Sequence, residues 1–342
     1  ARISAALTFR TDVTMASELS CNTEPQRVFQ GITPGHEGFT LEPNEKTKII
    51  ARDRDSAIVI FPYLVGREMV TGNGLPSRYL IDFQQRSIVD AKQFEAAFKR
   101  VETTVLPTRQ ENAAKDLNTL GEVRSHHKQF LERWWKLVWD RADMIAMIKK
   151  LDRRYLVCSR VTKRPIFCFC ADTIRPGDAL QVFCFDDDYS FGILQSNTHW
   201  QWFVAKCSKL TERFRYTPES VFDTFPWPQS PKKSDIAAVA KAGREVRRVR
   251  DEALKKGGLR AVYRTLELPG KNPLKDAHAA LDAAVLEAYD FNANDDLLKQ
   301  LLDLNLAVAE RIDRGEPVTS PGIPPDYSNP EELVTDDCIR PE

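Results

Sequence analysis

The chain has 342 residues, 42% of them hydrophobic, which suits two domains and a sizeable core. Its 49 basic and 49 acidic residues cancel, which argues against a uniformly basic nucleic-acid binder and allows only a locally basic face. No apolar run approaches the eighteen or so residues of a membrane helix, and the start, Ala1-Arg2-Ile3-Ser4, carries neither a Met nor a signal-peptide pattern.

Those features predict no membrane partner, a cytoplasmic location and a cut inside a longer protein. The seven Cys form no CxxC pair. Cys168 and Cys170 stand two apart in an apolar run, sharing one face of a strand. They read as reduced structural thiols rather than metal ligands, as suits the cytosol.

Along the chain, Ile3, Ala5, Leu7 and Phe9 alternate as in a strand, and residues 11–30 read as a polar connection. Gly31 to Phe39 packs three Gly and one Pro into a tight loop. Pro43 to Ala51 predicts a helix with Pro43 in its first turn. Ile58 to Leu64 and Tyr79 to Phe83 predict strands, separated by the turn signal Thr71-Gly72-Asn73-Gly74. Asp90 to Val101 predicts a helix with Asp90 as its N-cap and Phe94, Ala97, Phe98 and Val101 on one stripe. A longer helical region is expected from Leu120 to Lys150, with Trp134, Trp135 and Trp139 in the core.

The texture then changes. Tyr155 to Val157, Pro165 to Cys170 and Leu180 to Phe185 predict three strands of one antiparallel sheet. Leu194 to Leu210 reads as a helix whose His199 and Trp202 pack beneath that sheet. Pro226, Pro228 and Pro231 close the block. Residues 235–256, Asp276 to Tyr289 and Asp295 to Ile312 then predict a small helical bundle. Residues 316–342 are acidic and Pro-rich, a composition that predicts disorder.

No active site is legible. Amino-methylation of DNA needs a glycine-containing loop for S-adenosylmethionine and an Asn/Asp-Pro-Pro-Tyr loop for a flipped base. Asn272-Pro273 and Asn329-Pro330 continue with Leu274 and Glu331 instead. Asp82 … Asp90-Ala91-Lys92 echoes a nuclease carboxylate set at too short a spacing and reads as a cap with a surface Lys. The five His are scattered, and no Ser sits in a nucleophile elbow.

Ordered segments carry a resemblance that the local patterns do not. They run from Leu7-Thr8-Phe9-Arg10-Thr11-Asp12 through Gln30-Gly31-Ile32, Phe61-Pro62-Tyr63-Leu64-Val65-Gly66-Arg67-Glu68, Ile81-Asp82-Phe83 and Val105-Leu106-Pro107-Thr108-Arg109. Trp134-Trp135, Arg153-Arg154-Tyr155-Leu156-Val157 and Phe191-Gly192-Ile193-Leu194-Gln195-Ser196 follow, then Arg215-Tyr216-Thr217-Pro218 and Phe222-Asp223-Thr224-Phe225-Pro226-Trp227-Pro228. Gly258-Leu259, His278, Leu281-Asp282 and Leu301-Leu302 complete the order. This set resembles the C-terminal part of the MmeI-like, Type IIG (Type IIL) adenine-N6 DNA methyltransferases.

The resemblance implies an α+β chain in four parts. Residues 1–30 would lead out of a methyltransferase domain, and 31–230 would form a target recognition domain with a mixed or antiparallel sheet. Residues 231–315 would form an all-α helical domain, and 316–342 the tail. It implies double-stranded DNA and the upstream methyltransferase domain as partners, in restriction–modification or phage defence. This chain would hold no cofactor and be inactive alone, with S-adenosylmethionine bound in the other domain. The alternative is a protein-docking module of a phage-defence complex without DNA specificity of its own.

Arg suits guanine, and Asn or Gln adenine, for reading base edges. Asn73, Ser77 and Arg78 after the glycine turn are one candidate reading loop; a left-handed turn is the plainer role for Asn73. The other is the basic hairpin Arg160-Val161-Thr162-Lys163-Arg164, which a solvated turn would also explain. The resemblance puts the family's base-reading polar pair at about Thr162, Lys163 and Arg164. Candidate backbone contacts are His36, Arg67, Arg109, Arg160, Lys232 and Lys233, with a loop hydrogen bond as the other role for His36. Arg247, Arg248 and Lys256 would either extend that track or pair with Glu245, Asp251 and Glu252.

Overall fold

A computed structural model describes residues 11–71, 74–120, 126–151, 153–207, 209–210, 213–254 and 258–341. The strand expected at Ile3 to Phe9 lies outside them. In chain order, Ser20–Thr23 (α1) leads to Val28–Gln30 (β1), Thr40–Leu41 (β2) and Pro43–Arg52 (α2). Ile60–Leu64 (β3), Gly66–Thr71 (α3), Arg78–Ile81 (β4), Ile88–Ala91 (α4) and Glu95–Leu120 (α5) come next. His126–Glu132 (α6) and Ala142–Ile148 (α7) precede Arg154–Ser159 (β5), Val161–Thr162 (β6), Cys168–Ala171 (β7), Arg175–Pro176 (β8) and Leu180–Phe183 (β9). Asp188–Gln195 (α8), Asn197–Lys206 (α9), Lys209–Leu210 (β10), Arg213–Arg215 (β11) and Pro218–Val221 (α10) follow. The last helices are Lys233–Leu254 (α11), Leu259–Arg264 (α12), Pro273–Tyr289 (α13) and Leu297–Asp313 (α14).

The three apolar strands pair antiparallel as expected, in a four-stranded sheet of order β1-β9-β5-β7. All four residues of β7 and of β9 are buried. That is why β7 reads as a continuous apolar run rather than as an alternation, and β9 as one interrupted only by Gln181. The fourth strand, β1, was not expected: the segment read as a polar connection pairs Val28 with Phe183 and Gln30 with Gln181. A second sheet has the order β2-β4-β3-β8, with β3 and β8 parallel. A third, β10-β11-β6, grows from the turn that ends β5. Mixed sheets with helices alongside make the α+β class.

Three expected helices are corrected, one by a long-range contact and two by local caps. Residues 133–141 leave the helix expected over Leu120 to Lys150, because Thr33 and Trp139 exchange backbone hydrogen bonds of 3.0 and 3.1 Å. Gly35, at φ +77°, lets the glycine loop lie against Val138, where an added Cβ would meet Val138 Cγ2 at 2.1 Å. Trp134 is buried, but Trp139 is left 54% exposed, so it is not a core residue. The helix expected over Leu194 to Leu210 breaks at Ser196, whose extended backbone ends α8 and caps α9 through the His199 N–H. At α4 the N-cap is Ser87, and Asp90 is its reciprocal capping-box partner. The stripe Phe94, Ala97, Phe98 and Val101 is buried.

The helical part lies directly on the sheet part. Gly192 of α8 approaches α11 so closely that a Cβ there would stand 2.6 Å from Val239 Cγ1. The acidic tail is also ordered by contact. Ile339 bridges Cys170 of β7, and Asp337 accepts hydrogen bonds from Arg154 and Arg247 at 2.9 and 2.5 Å. Composition predicts disorder there because the tail is poor in apolar residues; pairing the half-exposed Asp337 carboxylate with two core arginines overrides that.

Candidate nucleic-acid interface

Four arginines from separate stretches of chain line one cleft of about 650 Å³. Arg27 stands just before β1, donating to the carbonyls of Cys21 and Pro25 at 3.3 and 3.2 Å. Arg141 sits at the left-handed position before α7 (φ 54°), its Nε 3.4 Å from the Gly31 carbonyl. Arg160 is fixed by its backbone: its N–H donates to Ala179 and its carbonyl accepts from Tyr216. Arg215 ends β11 opposite Val161.

A neighbouring cleft of about 700 Å³ shares Arg160 and Arg215 and adds Arg67 and Arg260. The two clefts thus form one basic track across the junction of the first and third sheets. Burial lowers the Arg160 pKa first, and the charges of Arg215 and Arg141 lower it further. Burial likewise lowers those of Arg27 and Arg141. Cations crowded in this way are relieved by a polyanion. The acidic residues at the clefts are Asp178, Glu219 and Asp223. Burial, with Glu18 and Glu219 nearby, pushes the Asp223 carboxyl up to about 6.

The expected residues divide. Arg67 and Arg160 line the track. Ser77 and Arg78 are exposed near it in sequence, but both meet Glu68: the Ser77 hydroxyl donates to it, and Arg78 Nε stands 3.6 Å away. Thr162 Oγ1 donates to the Arg164 carbonyl at 2.6 Å and accepts from the Arg164 N–H, which locks the hairpin turn. Lys163 is exposed at its tip. Arg164 folds back with its guanidinium 4.6 Å from the Trp200 ring centre. Asn73 and Lys256 lie outside the described residues. Lys232 and Lys233 are exposed before and at the start of α11, and Lys233 Nζ donates to Ser328 at 2.7 Å.

The expected backbone contact at Arg109 is corrected, and His36 and Arg248 take the other roles that the sequence allowed. Arg109 is 6% exposed and donates to the Phe130 and Arg133 carbonyls at 3.0 and 3.2 Å, so it holds α5 to α6 instead of reaching solvent. His36 uses both ring nitrogens inside its loop, Nδ1 accepting from the Gly38 N–H and Nε2 meeting Thr108 Oγ1 at 3.2 Å. Burial lowers its pKa, which favours the uncharged ring. Arg247 is buried against Asp188 and Asp337, while Arg248 pairs with Glu245 and Glu252 on the exposed face of α11.

The sequence reading missed Arg27, Arg141, Arg215 and Arg260. Each stands alone in its own segment, and no local pattern marks an arginine whose neighbours come from elsewhere in the chain. His199 and Trp202 are packing residues, fully buried and bonded to the Tyr216 hydroxyl at 3.0 Å and Thr224 Oγ1 at 3.2 Å. Asp82 pairs with Arg175 at 3.4 Å in the core. Among the described residues no group of three His, Cys, Asp or Glu could hold a metal, and no helix is long and apolar enough to cross a membrane.

Comparison with known proteins supplies the family. DNA methyltransferase A of Bacillus subtilis (strain 168) is 32% identical over 146 residues, a stretch that takes in 41% of this chain and 16% of that protein. The solved structure of the Type IIL restriction-modification enzyme MmeI in complex with DNA has the same fold, with a TM-score of 0.65 at 19% identity. That likeness covers 83% of this chain and 36% of the solved one, so this chain corresponds to a part of each relative. The family of the MmeI target recognition domain matches residues 11–229, most of the chain. Matched over that length, the chain belongs to the MmeI target recognition domain family.

Proposed function

We propose that this chain is the DNA-sequence-reading part of an S-adenosylmethionine-dependent adenine-N6 DNA methyltransferase. It would serve restriction–modification or phage defence in the cytoplasm, setting which duplex sequence the catalytic domain acts on. The observation that carries this reading is the convergence of Arg27, Arg141, Arg160 and Arg215 on one cleft of a recognition-domain fold. Phosphate contacts of this kind set register and orientation, and base-edge contacts set sequence. Arg67, Arg160, Arg215 and Arg260 would follow the phosphates, and Lys163, with Ser77 and Arg78, would reach base edges from exposed positions beside the track.

On this proposal S-adenosylmethionine lies in another domain. Gly74, at φ +81°, leads towards strand β4 and lies against Ile339 of the tail, so it does not open a phosphate- or cofactor-cradling helix. Methyl transfer is therefore assigned to a partner domain, and the role of this chain is to bind and orient.

The test is fluorescence anisotropy with a randomised duplex pool at roughly 50 and 200 mM salt. Binding that weakens steeply with salt and enriches one sequence on selection supports the reading. A folded chain that binds duplex at neither salt overturns it and leaves protein docking as the role.

A further inference from the structure

Trp139 stands beside the arginine cleft with its ring in the open. It is 54% exposed, whereas Trp134, Trp202 and Trp227 are buried and Trp135 and Trp200 are partly buried. Its backbone is nonetheless fixed. Thr33 and Trp139 exchange hydrogen bonds, and the N–H of Ile32, one residue earlier, donates to the Pro176 carbonyl of β8 at 2.8 Å. The exposed ring is therefore carried on the edge of the second sheet.

Arg141, two residues on, is the second unusual feature. Its backbone is left-handed, at φ 54°, which is unfavourable for any residue with a Cβ. In that conformation its guanidinium lies 3.4 Å from the Gly31 carbonyl and 3.5 Å from Gln30 Oε1, lining the cleft. The same guanidinium stands 5.8 Å from the centre of the Trp139 ring. Backbone strain of this kind clusters where a protein grips a ligand. Asp140, the carboxylate between the two, accepts from Gln85 at 2.7 Å.

A lone exposed apolar side chain is ordinary on a protein surface. This ring has a charged neighbour, which restricts what can cover it. An apolar protein face laid on Trp139 would desolvate Arg141 with no anion to meet it. A DNA strand offers both groups in succession, because each phosphate is followed by a deoxyribose whose carbon atoms present an apolar face. A cation and a ring side by side match that alternation, and Arg27, Arg160 and Arg215 continue the positive charge across the cleft.

Building on the DNA-recognition reading above, we propose that Trp139 and Arg141 form one grip on a duplex strand, with Arg141 on a phosphate and the Trp139 ring against the neighbouring deoxyribose. The contact is to the sugar–phosphate chain, so it fixes position and carries no sequence information. Of the pair, only Arg141 displaces counterions, so the two residues differ in salt dependence.

The test is anisotropy of a fluorescein-labelled duplex of the selected sequence with the full chain, from roughly 50 to 200 mM salt. Trp139→Ala is expected to weaken binding ~10-fold at every salt, through lost apolar burial, and to leave the slope of log affinity against log salt unchanged. Arg141→Ala is expected to lower that slope by about one. Duplex binding should also shield the wild-type chain from acrylamide quenching of tryptophan fluorescence, and this shielding should vanish in Trp139→Phe. Should Trp139→Ala fail to fold, the wild-type quenching measurement still decides. Affinity of Trp139→Ala within about twofold of wild type, a loss confined to the selected sequence, or no shielding by duplex overturns the grip, while salt-sensitive binding by wild type upholds the recognition reading. Binding of no duplex by folded wild type overturns both.

Discussion

Arg154 on β5 and Asp188 at the start of α8 pair at 2.7 Å with both side chains 0% exposed. Arg247 of α11 meets the same carboxylate oxygen at 2.8 Å. Asp337 of the tail accepts from both arginines, and its carboxyl stays below the usual range because hydrogen bonds from Arg247 and Thr335 and the nearby guanidinium charges outweigh its burial. One buried cluster therefore ties the sheet, two helices and the tail together. Removing one member of such a set leaves an uncompensated buried charge. Asp188→Ala is expected to cost about 3–5 kcal/mol in urea unfolding. Asp337, 43% exposed, is expected to cost nearer ~1 kcal/mol when changed to Ala. Equal costs would show that the tail is as integral as the core.

The arginine track has a salt signature. Arg160 and Arg215 border both clefts, so each is placed for a phosphate. Arg160→Ala and Arg215→Ala should each weaken duplex binding uniformly across sequences and reduce the slope of log affinity against log salt by about one. An unchanged slope in both variants would remove the track from the interface.

Adjacent residues of one hairpin should behave differently. Lys163 is exposed, whereas Arg164 packs on Trp200 and near Tyr263. Lys163→Ala is expected to alter sequence preference or affinity with stability unchanged within ~0.5 kcal/mol. Arg164→Ala is expected to destabilise by about 1–2 kcal/mol through lost stacking and stem packing. Selection of duplexes with each variant, alongside thermal melting, separates the two; a stable Arg164→Ala with altered specificity would return Arg164 to base reading.

Acid stability should report on His199. Burial pushes its imidazole from 6.5 down to about 3. A group depressed on folding contributes stability that is present above pH 6.5 and lost as pH falls towards the folded value. Between pH 7.5 and 5 that loss is about 2 kcal/mol. His199→Gln keeps a partner for the Tyr216 hydroxyl and cannot titrate, so its stability should fall by about 2 kcal/mol less than that of wild type over this range. Parallel pH profiles would show that the ring is not buried uncharged.

The sequence by itself determined the elements whose signal is local. The short apolar runs around Leu156, Phe169 and Val182, rich in aromatic and branched residues, favour buried strands. The periodic spacing of Leu281, Val285 and Leu301 can be satisfied only on helices packed together. The ordered segments added the family, because order along a chain survives where single motifs are weak. Tertiary structure alone decided where charge and strain are resolved. Trp139 leaves its expected helix because Thr33, over a hundred residues earlier, supplies its backbone partners. The acidic tail is ordered because two core arginines lie where Asp337 can reach them. The cleft exists because Arg27, Arg141, Arg160 and Arg215 come from four separate segments. Periodicity records which face of its own element a residue occupies; which distant elements share that face is fixed only when the strands pair and the helices pack.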